Sequence, residues 1–199
     1  MATDSGPAGS ATSPPDPSDA QLIAEIRAGS APALETLVRR YYRLAFAVAL
    51  AHAGNRADAE DVCHDAFVRA AERLEECRKP DRFAPWLCTI VRNRAHNVVA
   101  HRKVRRASAL EHDSAASGDD PERDARVAEL RSRLVAALAT LSSIQREVVL
   151  LHDVDERTHD EIAAIVGTSS GMSRQHLFNA RKKLRAVLGP HATREYLDE

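Results

Sequence analysis

The sequence predicts an all-α protein of two small helical domains joined by a flexible linker. Three observations carry that prediction. Apolar residues recur at three- and four-residue spacing, and strand-type alternation is absent. Aromatic residues are only 4% of the chain, while Ala, Leu, Val and Arg are abundant, a composition that favours helices. Between residues 107 and 125 the pattern lapses into a small, acidic, Pro- and Gly-punctuated stretch, which reads as a tether between two helical blocks.

Residues 1–17 are mostly Ser, Pro, Gly, Ala and Thr with little to bury, and are expected to be a disordered tail. The first block covers 18–106. Ser18 and Gln21 fit a capping box that opens its first helix. The apolar sets Leu22, Ile23, Ile26, then Leu34, Leu37, Val38, Tyr41, Leu44, Phe46, Val48, then Val62, Ala66, Phe67, Ala70, Leu74 continue it. Gly29-Ser30 and Gly54-Asn55 mark the joins. A last helix starts near Pro85, with Trp86, Leu87, Ile90, Val91 and Val98 on its inner side. The second block covers 126–188. Leu130, Leu134, Leu138 and Leu141 form an apolar stripe, Ser142 and Gln145 fit another capping box, and Val148 to Leu151 are expected to be buried. Residues 189–199 form a short tail, too short for an added regulatory domain.

The bulk properties exclude several classes. A net charge of −1 does not suit a protein that simply coats DNA. The first twenty residues hold Asp4, Asp16 and Asp19 and no apolar core, unlike a secretory signal. The longest apolar run, Leu44 to Ala51, is far too short to span a bilayer. Cys63, Cys77 and Cys88 are odd in number and lack CxxC spacing, as expected of reduced thiols in a cytoplasmic protein. No metalloprotease, phosphate-loop or nucleophile-elbow motif accompanies the scattered histidines His52, His64, His152 and His159. No catalytic residue, metal or cofactor is expected, and the chain is read as not an enzyme.

The stretch from Thr158 to Leu177 reads as helix, glycine-containing turn, helix. Thr158 and Glu161 fit a capping box, and Ile162, Ala163, Ile165 and Val166 point inward. Gly167 suits the left-handed C′ position, and Ser169 or Ser170 can cap the next helix. At about 100° per residue, Ser173, Leu177, Ala180, Leu184 and Leu188 share one face. Met172, Gln175, Asn179 and Lys182 lie opposite, with Arg174, Phe178 and Lys183 at the margins. This is the form of a helix-turn-helix, whose second helix enters the DNA major groove. Ser170, Met172, Arg174, Gln175 and Asn179 are therefore candidates for base or backbone reading, and Lys182 and Lys183 for phosphates. A helical hairpin with a solvated basic face is the plain alternative.

Two further surfaces carry charge. Arg92, Asn93, Arg94, His96, Asn97, His101, Arg102, Lys103, Arg105 and Arg106 form a basic run with no acid in it, directly after a core segment with the sole Trp. Cations interleaved with Asn and His can hold phosphates while touching bases. Upstream, Asp58, Asp61 and Asp65 share a helix face, followed by Glu72, Glu75 and Glu76. Acids at a helix start suit the dipole, but those farther along point to a protein partner.

These three elements, in this order, carry a resemblance. Ala59 to Phe67 resembles the AEDVxQxxF signature of sigma factor region 2, and Phe83 to Asn93 its FxxWLxxIxxN segment. Leu141 to Val148, Asp160 to Ala163 and Ala180 to Leu184 look like region 4. The chain resembles an extracytoplasmic-function (group 4) bacterial sigma factor over most of residues 19–188.

The resemblance implies a dissociable specificity subunit of core RNA polymerase. Asp58, Asp61, Asp65 and Glu72 would meet the β′ clamp helices. The loop Cys77 to Phe83 with Arg92, Asn93, His96, Asn97, Arg102 and Lys103 would capture and open the −10 element of promoter DNA, holding a flipped base. The helix from Ser170 would bind the −35 duplex, and region 4 would touch the β flap. The acidic linker would enter the polymerase channel or serve as a plain solubilising tether, and a separate anti-sigma factor would supply control. His64 stands where Gln is common, and Met172-Ser173 where Thr-Val is common, which alters residues near the bases. The other reading of the residues is a helix-turn-helix regulator that does not join polymerase; it leaves the acidic and Trp-anchored helices without a purpose.

Overall fold

The computed structural model describes residues 16–106 and 121–189. The expected tails up to residue 15 and from residue 190, and linker residues 107–120, lie outside them. Among the described residues every element is helical: α1 (Asp19–Arg27), α2 (Ala31–Ala53), α3 (Arg56–Glu72), α4 (Phe83–Arg106), α5 (Pro121–Ala139), α6 (Ser143–Val149), α7 (His159–Val166) and α8 (Ser170–Leu188).

The helix boundaries follow local chemistry. Ser18, Ser142 and Thr158 each cap their helix, and Gln21, Gln145 and Glu161 reach back to the capping residue's own N–H, so all three expected capping boxes form. Each satisfies orphan N–H groups that no turn of the helix can reach; losing such a cap costs about 1 kcal/mol. Gly54 and Gly167 end α2 and α7 in the left-handed region, at φ 81° and 78°. Ser169, not Ser170, caps α8. Helix α4 starts at Phe83, two residues before Pro85, because Pro85 still falls within the first turn, where its missing N–H costs nothing.

Helix α2 is the axis of the molecule. Its second half places Leu44, Ala45, Ala47, Val48, Ala49, Ala51 and Ala53 out of solvent. Burial all round marks a helix enclosed by neighbours. Helices α1, α3 and α4 pack around it, and so do α6 and the wide π-helical turn Leu150–Val154 of the second domain. Phe83 sits between Tyr41 and Trp86, with ring centroids 4.9 and 5.6 Å away, and anchors the start of α4.

The second domain begins earlier than the composition suggests, since α5 starts at Pro121. Its leucine stripe is buried only in part. Leu141 is in the core and Leu138 packs against it, but Leu130 and Leu134 are 58% and 46% exposed. Val148 to Leu151 are buried as expected. The two domains are also docked, and a single apolar core runs from Leu22 to Leu184.

Candidate nucleic-acid and polymerase interfaces

Helices α7 and α8 form the expected helix-turn-helix. Ser173, Leu177, Ala180 and Leu184 are buried, and Leu188 packs against the core. The buried Ser173 hydroxyl is satisfied by His159 Nδ1 at 2.9 Å, and Ser170 donates to Asp160, so the two helices are stitched across the turn. Met172, Arg174, Gln175, Lys182 and Lys183 are exposed, while Ser170 and Asn179 are half-buried. The Gln175 amide donates to Asn179 Oδ1 at 3.2 Å, which orients both before any ligand arrives. Lys183 instead donates to Gln145 of α6 at 3.1 Å.

Beside this outer face lies a cleft of about 350 Å³ lined by His159, Arg174, Phe178, Arg181, Lys182 and Arg185, with Leu177 at its floor. Phe178 is 64% exposed at its rim. Reading the helix by its opposite face passed over Arg181 and Arg185. The 4-3-4 spacing of Arg174, Phe178, Arg181 and Arg185 was the available signal. Burial, then the charges of His152, Arg174 and Arg181, holds the His159 imidazole below its ordinary pKa, so it hydrogen-bonds Ser173 as the neutral ring.

In the first domain the basic run is divided among three directions. Arg94 pairs with Asp65, and Arg102 pairs with Asp58, so α4 and α3 neutralise each other along their contact. Arg92 turns toward the second domain. Asn93, His96, Asn97 and His101 face solvent. The Lys103 side chain lies outside the described residues. The acidic helix divides likewise: Asp58 is also held by Asn55, while Asp61 and Glu72 are exposed. In the loop before α4, Cys77 and Phe83 are buried and leave Arg78, Lys79, Asp81 and Arg82 at the surface. A cationic tip on a fixed base suits strand capture.

The seam between domains is built by two adjacent residues of α6. Arg146 donates to three carbonyls, Leu138 at 3.0 Å, Leu141 at 3.1 Å and Ala51 at 2.6 Å, so one guanidinium joins the C-terminal ends of α5 and α2. Glu147 enters the first domain. Its carboxylate accepts from Arg92 Nη2 at 2.6 Å and lies 2.9 Å from His52 Nε2, with 3% of the side chain exposed. Burial alone would raise its pKa; hydrogen bonds from His52 and Arg92 overcome that and hold it below the ordinary carboxylate range. Arg92 also donates to the Ile165 carbonyl of α7 at 2.8 Å. At the far end of the seam, Arg43 of α2 reaches the Val154 carbonyl.

Comparison with known proteins accounts for both halves of this arrangement. Residues 37–107 match the family model for sigma-70 region 2, and residues 131–184 the model for sigma-70 region 4. The chain is 31% identical over 169 residues to the ECF RNA polymerase sigma factor SigE of Mycolicibacterium smegmatis, covering 81% of this chain and 64% of SigE. The chain thus spans a little less than two thirds of that relative's length. It is 33% identical over 139 residues to the RNA polymerase sigma factor CarQ of Myxococcus xanthus, covering 68% of this chain and 77% of CarQ. The solved structure of CnrH in complex with the cytosolic domain of CnrY is similar in fold, with a TM-score of 0.60, 29% identity, and coverage of 85% of this chain and 96% of CnrH. With both regions present, in order and on the folds their sequences call for, the chain belongs to the extracytoplasmic-function branch of the sigma-70 family.

Proposed function

We propose that the chain binds core RNA polymerase and directs promoter-specific initiation of transcription. The observation that carries this reading is the pairing of a cationic helix-turn-helix with a Trp-anchored basic helix and an adjacent acidic helix in one chain. Arg174, Gln175 and Asn179 read the −35 duplex, with Ser170 and Met172 beside them and Lys182 and Lys183 on phosphates. Phe178, Arg181 and Arg185 widen that surface. Asn93, His96, Asn97 and the tip Arg78 to Arg82 hold the opened −10 strand, joined by Lys103 and, once released from Glu147 and Asp58, by Arg92 and Arg102.

Asp61 and Glu72 are the foremost contacts for the β′ clamp helices, since Asp58 and Asp65 are engaged by Arg102 and Arg94. Region 4 touches the β flap. Control comes from a separate anti-sigma protein. The likeness to CnrH, whose structure holds the cytosolic domain of CnrY, supports a protein partner of this kind. The chain itself supplies no catalytic group, and it works in the cytoplasm, beside the polymerase and its template. No helix of the described residues is long and apolar enough to cross a membrane.

Run-off transcription with core polymerase and a promoter library tests the reading. Transcripts with one defined start are expected only when the chain is added. Starts unchanged by its addition overturn the reading and favour a regulator that does not join polymerase.

A further inference from the structure

The Arg92–His52 recess is an anion site, and Glu147 fills it from within the same chain. We propose that Glu147 is an intramolecular stand-in for a DNA backbone phosphate: docked, it closes this subsite, and on opening a phosphate of the single strand takes its place. The inference rests on the proposed promoter-binding role.

Three observations carry it. First, the recess is built for an anion. Arg92 presents Nε at 3.1 and 3.2 Å and Nη2 at 2.6 Å to the two Glu147 oxygens, the forked geometry that suits carboxylate and phosphate alike, and His52 adds a fourth contact at 2.9 Å. Second, the recess adjoins the solvent-facing strip of α4. The His96 ring centroid is 5.3 Å from that of His52, and Asn93 and Asn97 follow on the same helix. A strand lying along Asn93, His96 and Asn97 therefore runs past the mouth of the recess, and its backbone supplies the anion.

Third, the docked form cannot serve both promoter elements. Their centres lie roughly 25 base pairs apart, on the order of 80 Å at about 3.4 Å per pair. In the docked form Arg92 of α4 hydrogen-bonds the Ile165 carbonyl of α7 directly. The domains must part before both elements are held, and parting uncovers Arg92 and His52 together. Affinity for the single strand then scales with the fraction of chains that are open.

The test uses the full chain, a labelled twelve-residue oligothymidylate and fluorescence anisotropy, with small-angle scattering to read the separation of the domains. Glu147→Gln keeps the shape and removes the charge; Arg146→Ala releases the helix-end clamp and leaves Glu147 intact. Both are expected to expand the chain and to tighten oligonucleotide binding about tenfold. The salt dependence should steepen by about 0.7 for the one phosphate gained. Adding Arg92→Gln to either variant should abolish the gain.

Expansion without tighter binding overturns the proposal. So does a gain that survives Arg92→Gln, which would place the strand elsewhere. If neither variant expands the chain, Glu147 and Arg146 do not hold it closed and the proposal fails. Tighter binding by an expanded chain that gives no transcripts with core polymerase would leave the recess intact and defeat only the promoter-initiation reading.

Discussion

Arg94 of α4 pairs with Asp65 of α3, and one turn of α3 away Asp61 stands exposed. Neighbouring acids on one helix thus have different tasks. Asp61→Lys is expected to weaken association with core polymerase at least tenfold, while the melting free energy moves by no more than about 0.5 kcal/mol. Asp65→Asn should do the opposite, lowering stability by about 1 kcal/mol or less. A pull-down with core enzyme beside a denaturant titration reads both; equal losses of polymerase binding would merge the two roles.

On α8, Arg174→Ala and Gln175→Ala are expected to weaken −35 duplex binding by about 1–3 kcal/mol each, and to leave core polymerase binding unchanged. Arg185→Ala removes a cation from the cleft edge. It should weaken binding to every duplex alike and lower the salt slope by about 1. Duplex titrations at four salt concentrations separate base reading from phosphate contact.

The turn of the helix-turn-helix is set by two residues. Thr158→Ala removes the hydroxyl that accepts from the Glu161 N–H and is expected to cost about 1 kcal/mol. Gly167→Ala places a Cβ at φ 78°, where strain and not crowding is the penalty, since nothing lies within 4 Å. It should cost about 1 kcal/mol or more. Urea unfolding measures both, and a neutral Gly167→Ala would mean the backbone relaxes.

Stability should fall on the acid side. Glu147 and Glu161 ionise below their ordinary range in the folded chain, so the unfolded chain binds more protons there. Their contribution is present above about pH 4.3 and is lost as pH falls through the folded values. His159 also has a lowered pKa, so its neutral ring supports the fold above about pH 6.5 and withdraws that support just below it. Melting temperatures are expected to be level from pH 7 to 8 and to decline from about pH 6.5 downward. His159→Gln should flatten the upper part of that decline.

The thiols should be inert in the folded chain. Cys63, Cys77 and Cys88 are all buried, and burial pushes the first and last up to about 12. Iodoacetamide at pH 8 is expected to leave the native protein unmodified and to label all three sites in denaturant. Rapid native labelling of one cysteine would reveal a local opening.

The sequence was most readable where a signal closes within four residues. All three capping boxes form, Gly54 and Gly167 end their helices, and the buried face of α8 runs from Ser173 to Leu184 as its spacing implies. It was least readable where the outcome depends on residues far apart in the chain. Nothing local to Arg92 announces that it meets Glu147, fifty-five positions away. A run of cations looks uniform in sequence, yet Arg94 and Arg102 are claimed by α3, while Asn93, His96, Asn97 and His101 stay outward. The leucine stripe shows the same limit: periodicity marks the apolar side, but not how far along a neighbour covers it.

The reciprocal caps at Ser18, Ser142 and Thr158 have a mechanical consequence. Each of those helices owns its starting point, borrowing nothing from the opposite half of the molecule. Helices that start this way can be carried as rigid pieces without fraying at that end, whatever the rest of the molecule does.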